Sequence, residues 1–164
     1  MGEVIARGYS MIRVSRMADY GVVAMTHIAR EPRARHTAAS IAARTGVPQP
    51  SASKLLKLLA RAGILTSHRG AKGGYVLSHA PDQVSVADLV AAVDGPISLA
   101  DCLDGPSGIC ELESFCSVRG PWQKISDAIR VALEEVTLAD MAQAAEGVGE
   151  RPTPAQTAGR EHAS

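Results

Sequence analysis

The sequence has no apolar run that approaches the ~18 residues needed to cross a lipid bilayer, so a membrane partner is not expected. It also lacks an N-terminal segment in which positive charge is followed by an apolar stretch, and this absence predicts a cytoplasmic protein. Stable disulfides are rare in the cytoplasm, so the few cysteines of the chain call for another explanation.

Aromatic residues make up only 3% of the chain, although 46% of it is hydrophobic. Aliphatic side chains must therefore supply most of the core, which favours a small helical body. At 164 residues the chain is long enough for one domain with appendages. No Ser/His/Asp or Cys/His pairing with a substrate pocket is recognisable, so we do not expect an enzyme.

The formal net charge is zero, but the two halves of the chain carry opposite charge. Residues 1–80 hold 12 Lys/Arg and 3 Asp/Glu, a net charge of +9, whereas residues 81–164 hold 5 Lys/Arg and 14 Asp/Glu, a net charge of −9. A basic half is typical of a protein that binds a polyanion. The acidic half is expected to avoid DNA and to serve assembly or regulation.

Cysteine is scarce and clustered: Cys102, Cys110 and Cys116 are the only three, spaced C-x7-C-x5-C. Three thiolates on a loop with Gly, Pro and acidic residues suit a soft metal ion or an iron–sulfur cluster, which would need a fourth ligand from elsewhere. Zinc prefers paired C-x2-4-C spacing with four ligands, and thiol oxidoreductases use C-x-x-C; neither pattern occurs. Buried structural cysteines, or a disulfide with one spare thiol, are the alternatives.

Apolar periodicity predicts three helices and a hairpin in the basic half. The predicted helices run from Ser15 to Glu31-Pro32, from Thr37 to Gly46, and from Pro48–Pro50 to Gly63. Two short strands, 64–67 and 75–78, follow around the tip RGAKGG. A helix-turn-helix followed directly by a β-hairpin is a winged helix-turn-helix, the architecture of many DNA-binding proteins.

In such a motif the front of the second helix reaches base edges in the major groove. The candidates for base contact are Gln49, Ser51, Ser53 and Lys54. Lys57 and Arg61 lie further along and are expected to contact phosphates. Arg69 and Lys72 flank the wing glycines, and an arginine at a wing tip suits a narrow minor groove. The alternatives are a merely solvated helix face and an ordinary Gly-rich turn.

The acidic half begins with a predicted helix that Ser85 caps and that ends at 94–96. Pro121 then opens a long amphipathic helix, which Thr137 continues with a second cap. This helix is too long for so small a body to bury, so a homodimer is expected; packing onto its own domain is the alternative. The residues predicted to form the dimer seam are Trp122, Ile125, Ile129, Leu133 and Val136.

The predicted fold class is therefore mostly α, with a two-stranded wing, a cysteine-containing cluster loop and a long C-terminal dimerisation helix. The expected divisions are a disordered extension (1–10), a winged helix-turn-helix domain (11–80), a helix with the cluster-binding loop (81–119), a dimerisation helix (120–145) and a disordered tail (146–164).

Taken in order, SRMADYGVVAM, KLLKLLARAGIL, RGAKGGYVLS and ISLADCL…CSVRGPW resemble the iron–sulfur winged-helix regulators typified by IscR and NsrR, over about residues 11–145. The resemblance is closest to the subgroup that regulates SUF-type cluster-assembly operons. It implies a homodimeric repressor that holds a 2Fe–2S or 4Fe–4S cluster and binds a palindromic double-stranded DNA operator. Loss of the cluster under iron limitation or oxidation would derepress the assembly genes.

The chain departs from this resemblance at the fourth ligand. IscR-type members carry a His three residues after the last cysteine, where this chain has Arg119, a cation that cannot ligate iron. NsrR-like members use an acidic residue near the start of the first helix, and Asp19 occupies that place, which implies ligation from the partner subunit. Asp19 could instead be an early-turn acid favoured by the helix dipole. A water, a small thiol, Asp104, Glu111 or Glu113 are further possibilities.

Other functions are compatible with the same residues. The signal could be nitric oxide or iron status rather than cluster supply. The cysteines could be structural in a plain winged-helix DNA binder, or, from a different class, they could belong to a thiol-redox or metal-dependent enzyme.

Overall fold

The computed structural model describes residues 14–99 and 117–146, which form six α-helices, a short 3-10 turn and one two-stranded antiparallel sheet. In chain order the elements are α1 (Arg16–Arg30), α2 (Ala38–Thr45), α3 (Gln49–Arg61), β1 (Leu65–His68), β2 (Gly74–Leu77), the 3-10 turn (Pro81–Gln83), α4 (Val86–Asp94), α5 (Arg119–Glu134) and α6 (Leu138–Ala145). The predicted fold class, a mostly helical winged helix-turn-helix, is confirmed. The predicted extension 1–10, the cysteine loop and the tail beyond residue 146 lie outside the described residues.

Helix boundaries follow short-range capping. The predicted N-caps of α1, α2, α4 and α6 all accept a hydrogen bond from the first turn: Ser15, Thr37, Ser85 and Thr137. α5 begins at Arg119, two residues before the predicted start at Pro121, because proline in a first turn loses no intrahelical hydrogen bond. Ala62, the C-cap of α3, is exposed.

One core joins the two halves of the chain. Met25 and Ile28 of α1, Leu55 and Leu59 of α3, and Leu138 of α6 are all inaccessible to solvent. The C-terminal helix α6 thus packs on the first helix and closes the core of the helix-turn-helix. Burial of so many aliphatic side chains stabilises the body by about 1.5–3 kcal/mol for each large one. Within the described residues, no helix has the length and apolar character required to cross a membrane.

The wing is an antiparallel hairpin in which Leu65 lies opposite Leu77 and His68 opposite Gly74. Both strands are displaced by one residue from their predicted positions. Glycine is required at the tip, because a Cβ on Gly73 would lie 2.6 Å from the carbonyl oxygen of His68. The hairpin therefore turns tightly at its tip.

α5 is attached to the body at two points. Near its middle, the buried hydroxyl of Ser126 accepts a hydrogen bond from the backbone N–H of Leu99, over 3.2 Å. After its end, the N–H of Val86 donates to the carbonyl of Val136, and the N–H of Leu138 donates to the carbonyl of Val84, both over 2.8 Å. Most of its remaining surface faces solvent.

Candidate functional site

α3 presents one basic face to solvent. Lys54, Lys57 and Arg61 follow at three- and four-residue spacing, which places them on the same side of the helix, and all three are exposed. The opposite side is buried and apolar, and consists of Ala52, Leu55, Leu56 and Leu59. The core contacts therefore determine which face of α3 is presented outward, and that face carries three predicted DNA-contact residues.

The start of α3 is held firmly against α2. The Thr45 hydroxyl donates to the carbonyl of Ile41 over 2.7 Å and accepts from the N–H of Val47 over 3.2 Å. Val47 is only 3% exposed and anchors the turn in the core. Beyond this turn Gln49 is exposed, whereas Ser51 and Ser53 are half-buried.

Accessibility therefore favours Gln49 and Lys54 as the side chains that reach a base edge. The first-turn N–H groups of α3 add a partial positive charge suited to a phosphate.

The wing tip carries the other predicted contacts, Arg69 and Lys72, and both are exposed. An arginine that sequence reasoning missed ties this tip to the body: Nη1 of Arg35 donates to the backbone carbonyl of Lys72 over 2.7 Å. Arg33, in the same loop between α1 and α2, is also exposed. The segment PRAR lies outside any apolar periodicity, and this concentration of arginine was the available signal.

The next residue, His36, extends this connection. Its backbone N–H donates to the carbonyl of Tyr75 over 2.9 Å, and the N–H of Tyr75 donates back over 2.8 Å, so β2 gains a short pairing on its second edge. The His36 ring is 5% exposed, lies 3.2 Å through Nε2 from the carbonyl oxygen of Glu31, and meets the ring of His27 edge to face. These hydrogen bonds join the wing to the helix-turn-helix. We call the exposed cations of α3 and of the wing tip the basic surface: Lys54, Lys57, Arg61, Arg69 and Lys72.

The three predicted cluster ligands, Cys102, Cys110 and Cys116, lie outside the described residues, but both flanks of their segment are described. The upstream flank ends at Leu99, which is bonded to Ser126 of α5, and the downstream flank enters α5 itself. The described residues on the two sides of the segment therefore meet at one helix, α5. Elsewhere, residues 14–99 and 117–146 contain no group of three or more His, Cys, Asp or Glu side chains that could hold a metal ion.

The N-terminus of α5 is electropositive. Its N-cap, Val118, has no polar side chain to satisfy the first N–H groups, and Arg119 adds a cation to the first turn. Exposed N–H groups at a helix start and a neighbouring cation both favour the thiolate form of cysteine. This environment lies two residues beyond Cys116 in the sequence.

Asp19, the predicted fourth ligand, lies in the first turn of α1 with its side chain exposed. Its backbone N–H donates to the carbonyl of Ser15, and the Ser15 hydroxyl donates to Asp94 Oδ1 at the end of α4, over 2.8 Å. This contact holds the start of α1 beside the end of α4, a few residues upstream of the cysteine segment.

Four of the predicted seam residues share one side of α5, which we call the seam face: Trp122, Ile125, Ile129 and Leu133. The fifth, Val136, follows the end of the helix. Trp122, Ile125 and Val136 are 36%, 46% and 37% exposed. Ile129 and Leu133 are half-buried and line an open groove. The opposite side carries Arg130, paired with Asp127 and Glu134. One side of α5 thus carries the ion pairs of Arg130, and the other is apolar and partly exposed.

Known proteins are similar to this chain in sequence and in fold. The chain matches the Rrf2 family, described as an iron-dependent transcriptional regulator, over residues 14–144. The HTH-type transcriptional regulator CymR of Bacillus subtilis (strain 168) is 30% identical over 137 residues, which cover 83% of this chain and 94% of CymR. Protein rrf2 of Nitratidesulfovibrio vulgaris is 34% identical over 101 residues, covering 62% of this chain and 67% of its own.

Two solved structures of regulators resemble the fold. The structure of CymR, the global cysteine regulator of B. subtilis, gives a TM-score of 0.64 at 30% identity and covers 80% of this chain and 97% of that one. IscR of T. potens gives a TM-score of 0.61 at 30% identity and covers 86% and 94% of the two chains. The matching family and CymR are described as transcriptional regulators and not as enzymes. The chain therefore belongs to the Rrf2 family and is a DNA-binding transcriptional regulator.

Proposed function

We propose that this chain is an iron–sulfur-cluster-dependent repressor of a SUF-type cluster-assembly operon, acting in the cytoplasm as a homodimer. The observation that carries this proposal is the cysteine segment itself. Cys102, Cys110 and Cys116 are the only thiols of the chain. Leu99, before their segment, is hydrogen-bonded to Ser126 of α5, and residues 117–118, after it, lead directly into α5. A change within that segment would act directly on the helix proposed to form the dimer.

The donor set fits an iron–sulfur cluster. Thiolates are the usual ligands of such clusters, and the electropositive start of α5 favours thiolates nearby. When bound, the cluster would supply a group whose presence depends on iron and oxidant levels. Arg119 excludes the histidine used by IscR-type relatives, so we assign the fourth position to the exposed carboxylate of Asp19 from the partner subunit.

Operator recognition is assigned to the basic surface. Gln49, Ser51, Ser53 and Lys54 would read bases, Lys57 and Arg61 would bind phosphates, and Arg69 and Lys72 would place the wing on the minor groove. In a homodimer the two α3 helices would enter successive major grooves of a palindrome. Their spacing is then set by the dimer seam.

The state of the cluster would be coupled to the position of α3 through the backbone contacts that surround α5. Its far end is hydrogen-bonded to the start of α4 through Val86 and Val136, and α6 beyond it packs on α1 in the core. A displacement of α5 would therefore shift the body that carries α3. A small preference of the two cluster states for different α5 positions is enough to shift the population of the DNA-binding form.

Anaerobic purification with absorption spectroscopy and iron and sulfide analysis tests the cluster assignment. We expect a coloured wild-type protein with a thiolate-to-iron band, loss of iron in Cys110→Ser, and faster cluster loss with an altered spectrum in Asp19→Ala. Asp82→Ala, which removes an exposed carboxylate of the 3-10 turn, is the matched control. A colourless wild type would contradict the cluster, and an Asp19→Ala protein that matches wild type would exclude Asp19 as the ligand.

Cluster-dependent repression of a SUF-type operon is tested by measuring how tightly the holo and apo proteins bind DNA from upstream of such an operon. We expect the holo form to bind more tightly. Nitric oxide added to the holo protein separates this proposal from the nitric-oxide alternative: selective release of the operator by nitric oxide, with no response to iron supply, would favour the latter.

A second candidate function rests on the comparison with CymR. CymR is named a global cysteine regulator, and it is as similar to this chain as IscR is, at 30% identity each. We therefore propose thiol-based control of sulfur metabolism as the alternative. It predicts an iron-free protein in which all three cysteines titrate as thiols and operator binding is unchanged by iron.

A further inference from the structure

A groove of about 320 Å³ lies between the end of α4 and the second half of α5, and we call it the α4–α5 groove. At about 30 Å³ for each liquid water molecule, it has room for roughly ten waters or for one large side chain. The exposed Asp94 lines it together with an apolar set of described residues. The apolar residues used below are Val90, Pro96, Ile97, Leu99, Ile129 and Leu133.

The other end of the seam face carries Trp122, the only tryptophan of the chain, which is 36% exposed. An indole ring is large, apolar and rigid, and its one N–H needs an acceptor when the ring is buried. Trp122 cannot enter the groove of its own protomer, because Ile129 and Leu133 lie seven and eleven positions further along α5, about 10 and 16 Å along the helix axis. A large aromatic side chain and a groove of matching chemistry are therefore separated within one chain.

The spacing of the seam face brings ring and groove together across a two-fold axis. Along α5 the seam residues follow one another at intervals of three, four and four positions. If two copies of α5 run antiparallel with Ile125 of one opposite Ile129 of the other, Trp122 of each helix lies opposite Leu133 of its partner. Both contacts then form at once and are equivalent. A parallel pair would instead place the two tryptophans side by side and leave both grooves open.

We propose that a second copy of this chain fills the α4–α5 groove with its Trp122 side chain. The indole ring would pack on Ile129 and Leu133, and its N–H would donate to the carboxylate of Asp94. Oδ1 of Asp94 accepts the Ser15 hydroxyl over 2.8 Å, and a carboxylate has further acceptor sites for an indole N–H. This inference rests on the homodimer of the proposed function and names the side chain that fits the groove.

The position of the groove gives this contact a consequence for DNA binding. Val90 and Asp94 belong to α4, which packs on α1 and α3 in the body of the protomer. A tryptophan seated there would attach α5 of one protomer to the body of its partner, and not only to the partner's α5. Because each body carries one α3, the two contacts would fix the spacing of the two α3 helices.

Light scattering over a range of concentrations measures the dissociation constant of the dimer for the full chain. Trp122→Ala removes both contacts and should raise this constant about a hundredfold, at about tenfold for each contact, since buried tryptophans are frequent interface hot spots. Val90→Phe, which fills the groove, should raise it similarly, whereas Val131→Phe on the opposite side of α5 should not. Asp94→Ala should raise it severalfold, and Asp94→Asn, which keeps an acceptor, should restore most of the affinity. Ser15→Gly, which removes the other partner of Asp94, is the control and should change it little.

Mixing two defective variants tests whether the ring and the groove meet across the interface. Trp122→Ala lacks the ring and keeps the groove, while Val90→Phe keeps the ring and blocks the groove, so only the mixed dimer can form one of the two contacts. Native mass spectrometry should show mixed dimers rising from the half expected for random pairing to roughly nine-tenths of all dimers, given about tenfold for each contact. Trp122→Ala mixed with Val131→Phe is the matched control. It should stay at about half, because the one contact of the mixed dimer is the mean of none and two.

Random pairing of Trp122→Ala with a groove-blocked variant that circular dichroism shows to be folded would overturn the proposal. If Val90→Phe does not fold, Leu133→Phe blocks the groove from α5 in its place. A dimer that Trp122→Ala leaves unweakened would also overturn the proposal, and the homodimer would stand. If deletion of residues 1–13 weakens the wild-type dimer while Trp122→Ala does not, the groove holds that segment, which precedes Val14 in the groove lining. A wild-type chain that is monomeric at every concentration contradicts the homodimer of the proposed function itself.

Discussion

Nη1 of Arg35 lies 2.7 Å from the backbone carbonyl oxygen of Lys72 and donates a hydrogen bond to it, so the loop before α2 holds the tip of the wing. The adjacent backbone pairing of His36 with Tyr75 makes the same connection one residue further on. Together these contacts fix the wing relative to the helix-turn-helix. We therefore expect Arg35 to influence how well the wing meets DNA through its hydrogen bond to the wing backbone.

We expect Arg35→Met to lower operator affinity by about 1 kcal/mol, a three- to tenfold effect, because a charge-assisted hydrogen bond that orders the wing is lost. Fluorescence anisotropy at one salt concentration measures this. Arg33→Met is the control, since it removes the same charge from the same loop and leaves the hydrogen bond in place. Equal losses in the two variants would show that only charge matters here.

Lys54 and Arg69 should differ in the kind of binding that they provide. Lys54→Ala is expected to cost about 1–3 kcal/mol on the operator and to relax sequence preference at one position, because the side chain reaches a base edge. Arg69→Ala should weaken binding on all sequences and reduce the slope of log affinity against log salt by about 1. Titrations of operator and random DNA at several salt concentrations separate the two effects. Operator affinity unchanged in Lys54→Ala would disprove its assignment.

The seam face of α5 offers a closely matched pair of substitutions. Ile125 lies on this face and is 46% exposed, while Val131 lies on the opposite side and is 45% exposed. Ile125→Glu should produce monomers, because a charge buried in an apolar seam costs several kcal/mol. Val131→Glu should leave the dimer intact. Light scattering measures the molecular mass of both variants in solution and so distinguishes monomer from dimer. A dimeric Ile125→Glu protein would place the interface elsewhere. Ile129→Glu, at the half-buried centre of the same face, should also give monomers.

Local signals explain most of what could be predicted from the sequence. The caps at Ser15, Thr37, Ser85 and Thr137 depend only on nearby hydrogen bonds, and the left-handed turn at Gly46 needs only a missing side chain. Family membership and fold class are both confirmed. The basic face of α3 followed from helical periodicity, since the buried face determines the exposed one.

Contacts between distant segments could not be predicted in this way. The hydrogen bonds from Arg35 to Lys72 and from Leu99 to Ser126 join residues 37 and 27 positions apart, and no local pattern encodes them. The same is true of α6, whose Leu138 reads as a continuation of the dimer helix yet belongs to the core beside α1. The roles of the cysteines and of Asp19 stay predictions for the experiments above.

Two glycines should respond oppositely to alanine. A Cβ on Gly21, in the buried interior of α1, would meet the side chains of Leu55 and Val93 at 3.5 Å, an ordinary contact distance. Gly21→Ala should therefore stabilise the protein by about 0.5–1 kcal/mol, since alanine loses less backbone entropy in a helix. Gly73→Ala should destabilise it, because the Cβ would lie 2.6 Å from a backbone oxygen. Thermal unfolding at equal protomer concentration measures both, and a lower Tm for Gly21→Ala would contradict the prediction.

Asp140 should make stability depend on pH in a predictable direction. Its Oδ2 accepts hydrogen bonds from the hydroxyl and the backbone N–H of Thr137, over 2.6 and 2.9 Å, and these bonds, the hydroxyl first, lower the pKa of the carboxyl below its ordinary value of 3.8. The unfolded chain lacks them and protonates at higher pH. The stabilising contribution is thus fully present above the ordinary value and is lost as pH falls towards the lowered one.

Asp140→Asn should consequently be less stable than wild type near neutral pH, and the difference in free energy of unfolding should shrink as pH falls below 3.8. Urea denaturation between about pH 7 and pH 2 follows both proteins through this window. Thr137→Val removes the hydroxyl donor while keeping the carboxylate, so it should also weaken the acid dependence. If the difference between wild type and Asp140→Asn stays constant across the whole range, the capping bonds to Thr137 are not the source of the lowered pKa of Asp140.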